Sequence, residues 1–234
     1  LLSLNEISSI DLNLVSDKIN FLIINSSDLE SVKNIQIPEN FVLILTTNNE
    51  HYMPDIRAFF MKNHKIKNPV ILSKNYDLSY SDKFIIHSST DIGSLFIQGY
   101  GDGIFIGNQS SNNKEIKKIN SLSFKILQAA RVRVTSTDFI SCPSCGRTLF
   151  DLQETTAMIR ERTDHLKGLK IGIMGCIVNG PGEMADADYG YVGSGKDKIT
   201  LNRGQDVVKR GINFKYGVDE LVNLIKEDGN WIEP

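Results

Sequence analysis

The sequence predicts an α/β fold in which short buried strands alternate with amphipathic helices. Apolar runs rich in β-branched and aromatic residues recur in the first half, as is typical of buried strands, at residues 21–24, 41–45, 70–72, 84–86 and 104–106. Helical patterns lie between some of these runs. This alternation is typical of βα units and a parallel sheet.

The connecting segments of the first half follow the same pattern. After Pro54, one helical face consists of Met53, Ile56, Phe59 and Phe60. Residues 90–95 predict a loop followed by a helix start, and residues 99–103 predict a turn that leads into the next strand. A polar stretch at residues 108–118 then predicts a domain boundary. We therefore expect domains at residues 1–117 and 118–234.

The second domain begins with a helix and an extended segment. The apolar face of that helix consists of Ile119, Leu122, Ile126 and Ala130, and residues 132–135 follow it. Asp151 predicts an N-cap, with Glu154 three residues on, for a helix that runs to about Leu166. Residues 170–174 predict a strand, which places Cys176 just past its carboxyl end. A last helix carries Val218, Leu221, Val222 and Ile225 and ends at Gly229.

Composition excludes several classes of protein. The 26 basic and 28 acidic residues give a net charge of −2, which does not favour nucleic-acid binding. No apolar stretch approaches the ~20 residues that span a bilayer. Residue 1 is not Met and opens a polar, mixed segment, so we expect part of a longer protein. Three cysteines cannot all pair within the chain, which favours a reducing compartment.

The motif Cys142-Pro143-Ser144-Cys145 places two thiols on one tight turn. This spacing is compatible with a metal ion, an iron–sulfur cluster, a dithiol redox pair or an inert surface turn. The motif alone does not choose among them.

The third cysteine, Cys176, is followed by Asn179-Gly180-Pro181-Gly182-Glu183. A lone cysteine is most often a small buried apolar residue, but this turn has little side-chain bulk and returns Glu183 towards the thiol. Structural zinc prefers four Cys or His ligands, and the four histidines lie outside both motifs. Three thiolates and a carboxylate are better suited to an iron–sulfur cluster with one exchangeable iron ligand.

A second glycine-rich stretch contains Gly190, Gly193 and Gly195, with Lys196 and Lys198. One interpretation is a β-hairpin loop with solvated lysines. The other is a contact for a phosphate group or for an electron donor.

Two longer stretches carry a resemblance to a known family. Residues 141–154 and 173–188, which contain the cysteine motifs, resemble the 4-hydroxy-3-methylbut-2-enyl diphosphate synthases, in their long, plastid-type form. The likeness continues through residues 190–193 and 207–212. Residues 91–95 and 99–103 resemble the end of the insert domain of that form. Coverage is good from about Ser88 to the end, except for the polar stretch, and before that only the strand rhythm matches.

The resemblance implies an enzyme with a [4Fe–4S] cluster. The implied ligands are Cys142, Cys145, Cys176 and Glu183, and Asn179 is implied to contact substrate near the exchangeable iron. The implied reaction is the reductive opening and dehydration of 2-C-methyl-D-erythritol 2,4-cyclodiphosphate in non-mevalonate isoprenoid biosynthesis. Ferredoxin or flavodoxin is the implied electron donor, and no nucleic acid or membrane is implied as a partner.

The resemblance also implies an architecture and a location. We expect residues 1–117 to be part of a barrel-like βα insert domain, and residues 118–234 to be an α/β iron–sulfur domain like the repeats of sulfite and nitrite reductases. The diphosphate-binding N-terminal barrel is absent from the sequence, so we expect this chain alone to turn over no substrate. The plastid-type likeness and the Asn-, Lys- and Ile-rich first half suggest a plastid-type organelle, such as an apicoplast or the chloroplast stroma, with a bacterial-type cytoplasm as the alternative.

Two other classes of function compete with this interpretation. A zinc-stabilised binding module would use the same side chains without redox chemistry, and metal analysis distinguishes it. A dithiol oxidoreductase using Cys142 and Cys145 would need no metal, but it leaves Cys176 and Glu183 unexplained.

Overall fold

A computed structural model describes residues 2–3, 15–28, 37–108, 112–178 and 180–234. The chain divides into two units, Leu1–Arg133 and Val134–Pro234. The limit predicted between residues 117 and 118 falls inside a helix, Asn113–Ala129, whose buried residues Ile119 and Ile126 belong to the core of the first unit. The helix therefore lies with the first unit, and the division comes after it.

The first unit contains a parallel sheet whose five strands lie side by side in chain order. They are β1 (Leu2–Ser3), β2 (Asn20–Asn25), β3 (Phe41–Thr46), β4 (Val70–Tyr76) and β5 (Gly103–Asn108). The helices are α1 (Tyr52–Lys62), α2 (Asp82–Ser88), α3 (Ser94–Ile97) and α4 (Asn113–Ala129), with a 3₁₀ turn at Ser26–Asp28 and a π turn at Ser89–Gly93. Because the strands are parallel, their carboxyl ends lie at one edge of the sheet.

The core of the first unit lies on one face of this sheet. On β3, Leu43 and Leu45 are buried, whereas Val42 and Ile44 on the opposite face are half-buried. The helices cover the first face with side chains such as Ile56 of α1. Burial of each such side chain contributes about 1.5–3 kcal/mol, so this pattern fixes which face of the sheet the helices cover.

The predicted strand at residues 84–86 is wrong, because these residues lie in α2. The Ser81 side chain caps the helix by accepting a hydrogen bond from the Phe84 backbone N–H at 3.4 Å. Phe84 is buried while Ile86 is 63% exposed, which fits one face of a helix better than a buried strand. Within residues 90–95, the predicted helix start is confirmed at Ser94, but the loop predicted before it is wrong, because a π turn at Ser89–Gly93 joins α2 directly to α3.

The second unit contains a mixed sheet in the order β10-β9-β8-β7-β6. Its strands are β6 (Asp138–Ser141), β7 (Lys170–Met174), β8 (Tyr189–Gly195), β9 (Lys198–Arg203) and β10 (Asp206–Asn213), and its helices are α5 (Leu152–Thr163), α6 (Gly180–Glu183) and α7 (Phe214–Glu227). Strands β6, β7 and β8 are parallel, whereas β8, β9 and β10 are antiparallel. The predicted strand at residues 170–174 and the predicted hairpin at Lys196 and Lys198 are confirmed.

The predicted cap of α5 is also confirmed. Asp151 accepts a hydrogen bond from the Glu154 backbone N–H at 2.9 Å, although the helix ends at Thr163 rather than near Leu166. The predicted last helix is α7, whose buried residues include Leu221, Val222 and Ile225. Across all of the described ranges, no helix has both the length and the apolar character needed to cross a lipid bilayer.

Candidate functional site

Two of the three cysteines lie where neighbouring parallel strands end. Cys142 directly follows β6, and Cys176 lies two residues after the end of β7. Strands β6 and β7 pair in parallel, with Ser141 opposite Ile173, and the Cys142 backbone N–H extends this pairing by donating to the Ile173 carbonyl at 3.3 Å. We call this edge, where β6, β7 and β8 end, the cysteine edge. Carboxyl ends of parallel strands are a common location for sites in α/β proteins.

The loop that carries Cys142 and Cys145 is held in shape by Thr148. Its hydroxyl accepts a hydrogen bond from the Cys145 backbone N–H at 3.0 Å, and its own backbone N–H donates to the Cys145 carbonyl at 2.9 Å. Ser144 takes a left-handed conformation with φ of 67°, which turns the chain between the two cysteines. The cysteine motif by itself does not indicate this role of Thr148. A threonine three residues after a turn position is a recognisable signal for such local hydrogen bonds.

Two glycines let this loop and the strands approach closely. A Cβ atom on Gly193 of β8 would lie 2.4 Å from the Gly175 carbonyl oxygen, and one on Gly175 would lie 2.6 Å from Thr148 Cγ2. The Gly175 carbonyl in turn accepts a hydrogen bond from the Leu149 backbone N–H at 3.1 Å. Both glycines are therefore required for the cysteine loop to pack against β7 and β8.

Glu183 is positioned by the residue that follows it. Met184 is fully buried, and its side chain lies over Gly172 of β7 and Gly190 of β8, which pair directly with each other. A Cβ atom on Gly172 would lie 2.7 Å from Met184 Cβ. The two glycines thus leave a depression in the sheet that Met184 fills, and this contact anchors α6, at whose end Glu183 lies.

A cavity of about 90 Å³ lies at the cysteine edge, and all four sequence-predicted ligands line it. The lining residues are Cys142, Pro143, Ser144, Cys145, Arg147, Thr148, Met174, Cys176 and Glu183. A larger groove of about 640 Å³ lies beside Cys142 and is lined on one side by α5, including Gln153, Thr156 and Arg160. Its volume falls within the range of small-molecule sites.

The electrostatics of the site favour the thiolate form of Cys145. The Gly175 backbone N–H donates to Cys142 Sγ at 3.3 Å. The backbone N–H of Arg147, and then its guanidinium group, hold the pKa of the exposed Cys145 thiol below its ordinary value. A hydrogen bond with Cys145, and then the charges of Cys145 and Cys176, raise the pKa of Arg147. Thiolates are the form of cysteine that binds metals, and Arg147 therefore supports the site through Cys145. This role of Arg147, like that of Thr148, was not predicted from the sequence.

The arrangement suits a group larger than a single ion. All three cysteines are free thiols. Within the described residues, no three Cys, His, Asp or Glu side chains lie close enough together to hold one metal ion. The predicted ligands instead surround a cavity, and soft sulfur donors are those that iron–sulfur clusters take. Asn179, the remaining predicted site residue, lies outside the described residues.

Comparison with known proteins gives the following matches. Residues 138–227 match the family model described as GcpE protein C-terminal domain. The chain is 49% identical over 199 residues to 4-hydroxy-3-methylbut-2-en-1-yl diphosphate synthase (flavodoxin) of Protochlamydia amoebophila, covering 84% of this chain and 29% of that protein. It is 48% identical over 176 residues to the chloroplastic, ferredoxin form of Arabidopsis thaliana, covering 75% and 23%. A flavodoxin form from Phocaeicola vulgatus is 41% identical over 222 residues, covering 94% and 36%. The chain thus spans between 23% and 36% of the length of these relatives.

Proposed function

Because the chain belongs to the 4-hydroxy-3-methylbut-2-en-1-yl diphosphate synthase family, we propose that it is the part of such an enzyme that holds a [4Fe–4S] cluster. The proposed ligands are Cys142, Cys145, Cys176 and Glu183. The observation that carries this proposal is the convergence of these four side chains on one cavity at the cysteine edge. When bound, the cluster would supply electrons and a Lewis-acidic iron.

The residues of the chain have separate tasks in this proposal. The thiolates of Cys142, Cys145 and Cys176 would hold the cluster, because sulfur is a soft ligand. The Glu183 carboxylate is a harder ligand than the thiolates and would be the most readily displaced of the four. Gly175 stabilises the Cys142 thiolate through its N–H, and Arg147 offsets negative charge near Cys145. Asn179 is proposed to contact the substrate.

The proposed reaction of the whole enzyme is the reductive ring opening of 2-C-methyl-D-erythritol 2,4-cyclodiphosphate. It takes up two electrons and two protons, releases one water and yields 4-hydroxy-3-methylbut-2-enyl diphosphate, a step of non-mevalonate isoprenoid biosynthesis. The electron donor is proposed to be a flavodoxin or a ferredoxin, because the relative from Protochlamydia amoebophila is a flavodoxin form and that from Arabidopsis thaliana is a ferredoxin form. The groove of about 640 Å³ beside Cys142 is the proposed approach for the substrate.

The first unit is proposed to be part of a barrel-like βα insert domain. Its parallel strands lie in chain order, which is the order found in β/α barrels. The second unit is proposed to resemble the repeats of sulfite and nitrite reductases. We propose that diphosphate binding needs the longer protein, so that this chain alone is inactive. The relatives include chloroplastic and bacterial proteins, and a plastid-type location is proposed on the sequence likeness alone.

The test is metal analysis of the chain purified without oxygen. We expect about four irons and about four acid-labile sulfides per chain, and an electron paramagnetic resonance signal after reduction with dithionite. Glu183→Ala is expected to keep the cluster on three cysteines but to change this signal and to speed loss of iron in air.

The matched control is Asp186→Ala, which removes an exposed carboxylate three residues away. It is expected to behave like the unmodified chain. Colourless protein with stoichiometric zinc would contradict the proposal and favour a zinc-stabilised binding module. Identical signals and iron loss in Glu183→Ala and Asp186→Ala would remove Glu183 from the ligand set.

A further inference from the structure

Two paired glycines leave a gap in one face of the second unit's sheet. Gly172 of β7 pairs with Gly190 of β8, and Ile140 of β6 pairs with Gly172 from the other side. Met184 fills the gap and is fully buried. A Cβ atom on Gly172 would lie 2.7 Å from Met184 Cβ, and one on Gly190 would lie 2.4 Å from Met184 Cε. The Met184 side chain therefore lies along the sheet, with its base over β7 and its tip over β8.

The next row of side chains on this face leads to the candidate site. Met174 and Val192 pair with each other, two residues further along β7 and β8 than the two glycines. Residues two apart on a strand share a face of the sheet. Met174, Val192, Met184 and Ala187 form one buried apolar cluster, and Cys142 packs against it. Because Met174 and Cys142 also line the cavity at the cysteine edge, the packing of Met184 is continuous with the wall of that cavity.

The chain that follows Glu183 is fixed at two points. The near point is Met184 itself. The far point is Asp188, whose backbone N–H donates to the Lys170 carbonyl at 2.8 Å and whose carboxylate accepts from the Lys170 backbone N–H at 2.8 Å.

The Glu183 carboxylate has no such fixed point of its own. Among the residues that the structure describes, no hydrogen bond or ion pair holds it. Neighbouring Cα atoms are about 3.8 Å apart, so the position of Met184 in its gap limits where the Glu183 carboxylate can reach.

We propose that Met184 is a positioning residue for Glu183, and that the gap over Gly172 and Gly190 sets how far the Glu183 carboxylate extends into the cavity. This inference rests on the proposed function. Groups that orient a metal ligand without touching the metal typically change metal affinity by roughly 10- to 100-fold when they are altered. Met184 would therefore control how readily the carboxylate, the weakest of the four proposed ligands, is lost.

The test changes the packing of Met184 from two sides. Met184→Ala empties the gap, whereas Gly172→Ala places a methyl group against the base of the Met184 side chain. Gly190→Ala is the milder variant, because its methyl group meets mainly the flexible end of that side chain. Met184→Leu is the conservative variant, since it keeps an apolar side chain of similar volume.

The structural control is Leu224→Ala. Leu224 lies on α7, is 1% exposed and belongs to the main core of the second unit rather than to the cluster around Met184. Its truncation also removes buried apolar contacts, so this control separates a general loss of packing from a change at Glu183.

Two properties of the chain purified without oxygen are measured, at a temperature at which every variant is folded. They are the electron paramagnetic resonance signal after reduction with dithionite and the rate of iron loss in air. Met184→Ala and Gly172→Ala should shift the signal in the same direction as Glu183→Ala and speed iron loss at least roughly tenfold. Met184→Leu should stay within about threefold of the unmodified chain. Leu224→Ala should leave the signal unchanged.

A double-mutant cycle then shows whether Met184 acts through Glu183. In the Glu183→Ala background, Met184→Ala should change the rate of iron loss by less than about twofold, because the ligand that Met184 positions is absent. Leu224→Ala should change this rate by the same factor in both backgrounds. If Met184→Ala also multiplies the rate equally in both, its role is structural only and the proposal is wrong. Should Met184→Ala not fold, the same cycle with Gly190→Ala decides.

Failure of the proposed function is recognised separately. If the unmodified chain holds no iron and sulfide, the proposed function is wrong and this inference is wrong with it. If the unmodified chain holds the cluster but Met184→Ala leaves the signal unchanged, only the positioning role of Met184 is wrong.

Discussion

The two sheets treat the edges where their parallel strands end in different ways. Near the end of β4 in the first unit, Lys74 pairs with Asp91 of the π turn at 2.8 Å, and Tyr76 donates to the same carboxylate at 2.9 Å. At the cysteine edge of the second unit, the thiols and Glu183 instead line a cavity. In the first unit, the side chains at this edge pair with one another, and we call it the closed edge. In the second unit, the side chains line a cavity, and we call the cysteine edge the open edge.

A second hydrogen-bond network near the ends of strands in the first unit also pairs side chains of the chain with one another. Thr47, just after β3, donates a hydrogen bond to Asp55 at 2.6 Å, and Ser26, just after β2, donates to the same carboxylate. Burial, and then the Asp91 carboxylate, raise the pKa of Tyr76, so that its phenol stays protonated and can donate. Polar groups paired within the chain contribute to stability, whereas ligand side chains that line a cavity at an edge are available to bind a group from outside.

The largest effect is expected from the open edge. Cys176→Ser replaces a soft ligand by a weakly binding hydroxyl, so iron and sulfide per chain should fall to background after anaerobic purification. The stability of the first unit should not change, because the substitution lies in the second.

The control for this experiment is Ser144→Ala, which alters the same cavity wall without removing a thiol. It should retain most of its iron. Full iron content in Cys176→Ser would contradict the view that the cysteine edge is kept open for a metal group.

The next largest effect is expected where β8 packs closely against Gly175 at the open edge. Gly193→Ala places a methyl group against the Gly175 carbonyl oxygen, which belongs to the backbone and cannot rotate away. We expect a loss of about 3 kcal/mol in the free energy of unfolding of the second unit, together with reduced iron loading. The free energy of unfolding is measured by urea unfolding followed by circular dichroism, and the iron loading is measured by iron analysis.

Gly146→Ala is the matched control for this substitution. A Cβ atom there has no neighbour within 4 Å, and Gly146 has no positive φ. Its free energy of unfolding should stay within about 0.5 kcal/mol of that of the unmodified chain. If the two alanine variants are equally stable, the close approach of β8 to the cysteine loop is not needed.

The closed edge should respond in stability alone. Asp91→Asn leaves the largely buried Lys74 ammonium without its counter-charge, which we expect to cost about 2 kcal/mol of unfolding free energy. Iron content should be unchanged. Asp77→Asn, at an exposed carboxylate directly after the end of β4, should change stability by less than about 0.5 kcal/mol. A loss of iron in Asp91→Asn would show that the first unit also supports the site.

Local signals in the sequence predicted much of this fold. The strand at residues 170–174 and the cap at Asp151 are confirmed, because an apolar run and a capping residue act within a few positions. The strand predicted at residues 84–86 failed for the reverse reason. Three apolar residues in a row fit a strand or a helix, and the decisive signal was the cap at Ser81, three residues before Phe84.

The residue types of the candidate site could be predicted from the sequence, but the contacts that hold these residues in place could not. The strand predicted at residues 170–174 placed Cys176 at a strand end, and the structure adds Cys142 at the end of the neighbouring strand β6. The contact between Gly193 and Gly175 joins different strands of the sheet. The packing of Met184 over Gly172 and Gly190 depends on the register of β7 with β8. Neither the contact nor the register can be derived from a single local motif.

The smallest effect concerns a closed cluster of charges within the second unit itself. Asp228 accepts hydrogen bonds from Arg203 and from Tyr189, and the Arg203 hydrogen bond is the main cause that lowers the pKa of Asp228. A carboxylate whose pKa is lowered by folding stabilises the protein above its unfolded pKa of about 4, and this contribution is lost as the pH falls through the lower, folded value. Asp228→Asn should therefore reduce the unfolding temperature at pH 7, and the difference from the unmodified chain should narrow towards pH 3. Asp219→Asn, which breaks the more exposed pair with Arg162, should show a smaller difference at every pH. If the difference in unfolding temperature between Asp228→Asn and the unmodified chain is constant across this range, Asp228 and Arg203 are not a charged pair in the folded state. The contribution of this cluster to stability would then come from packing rather than from charge.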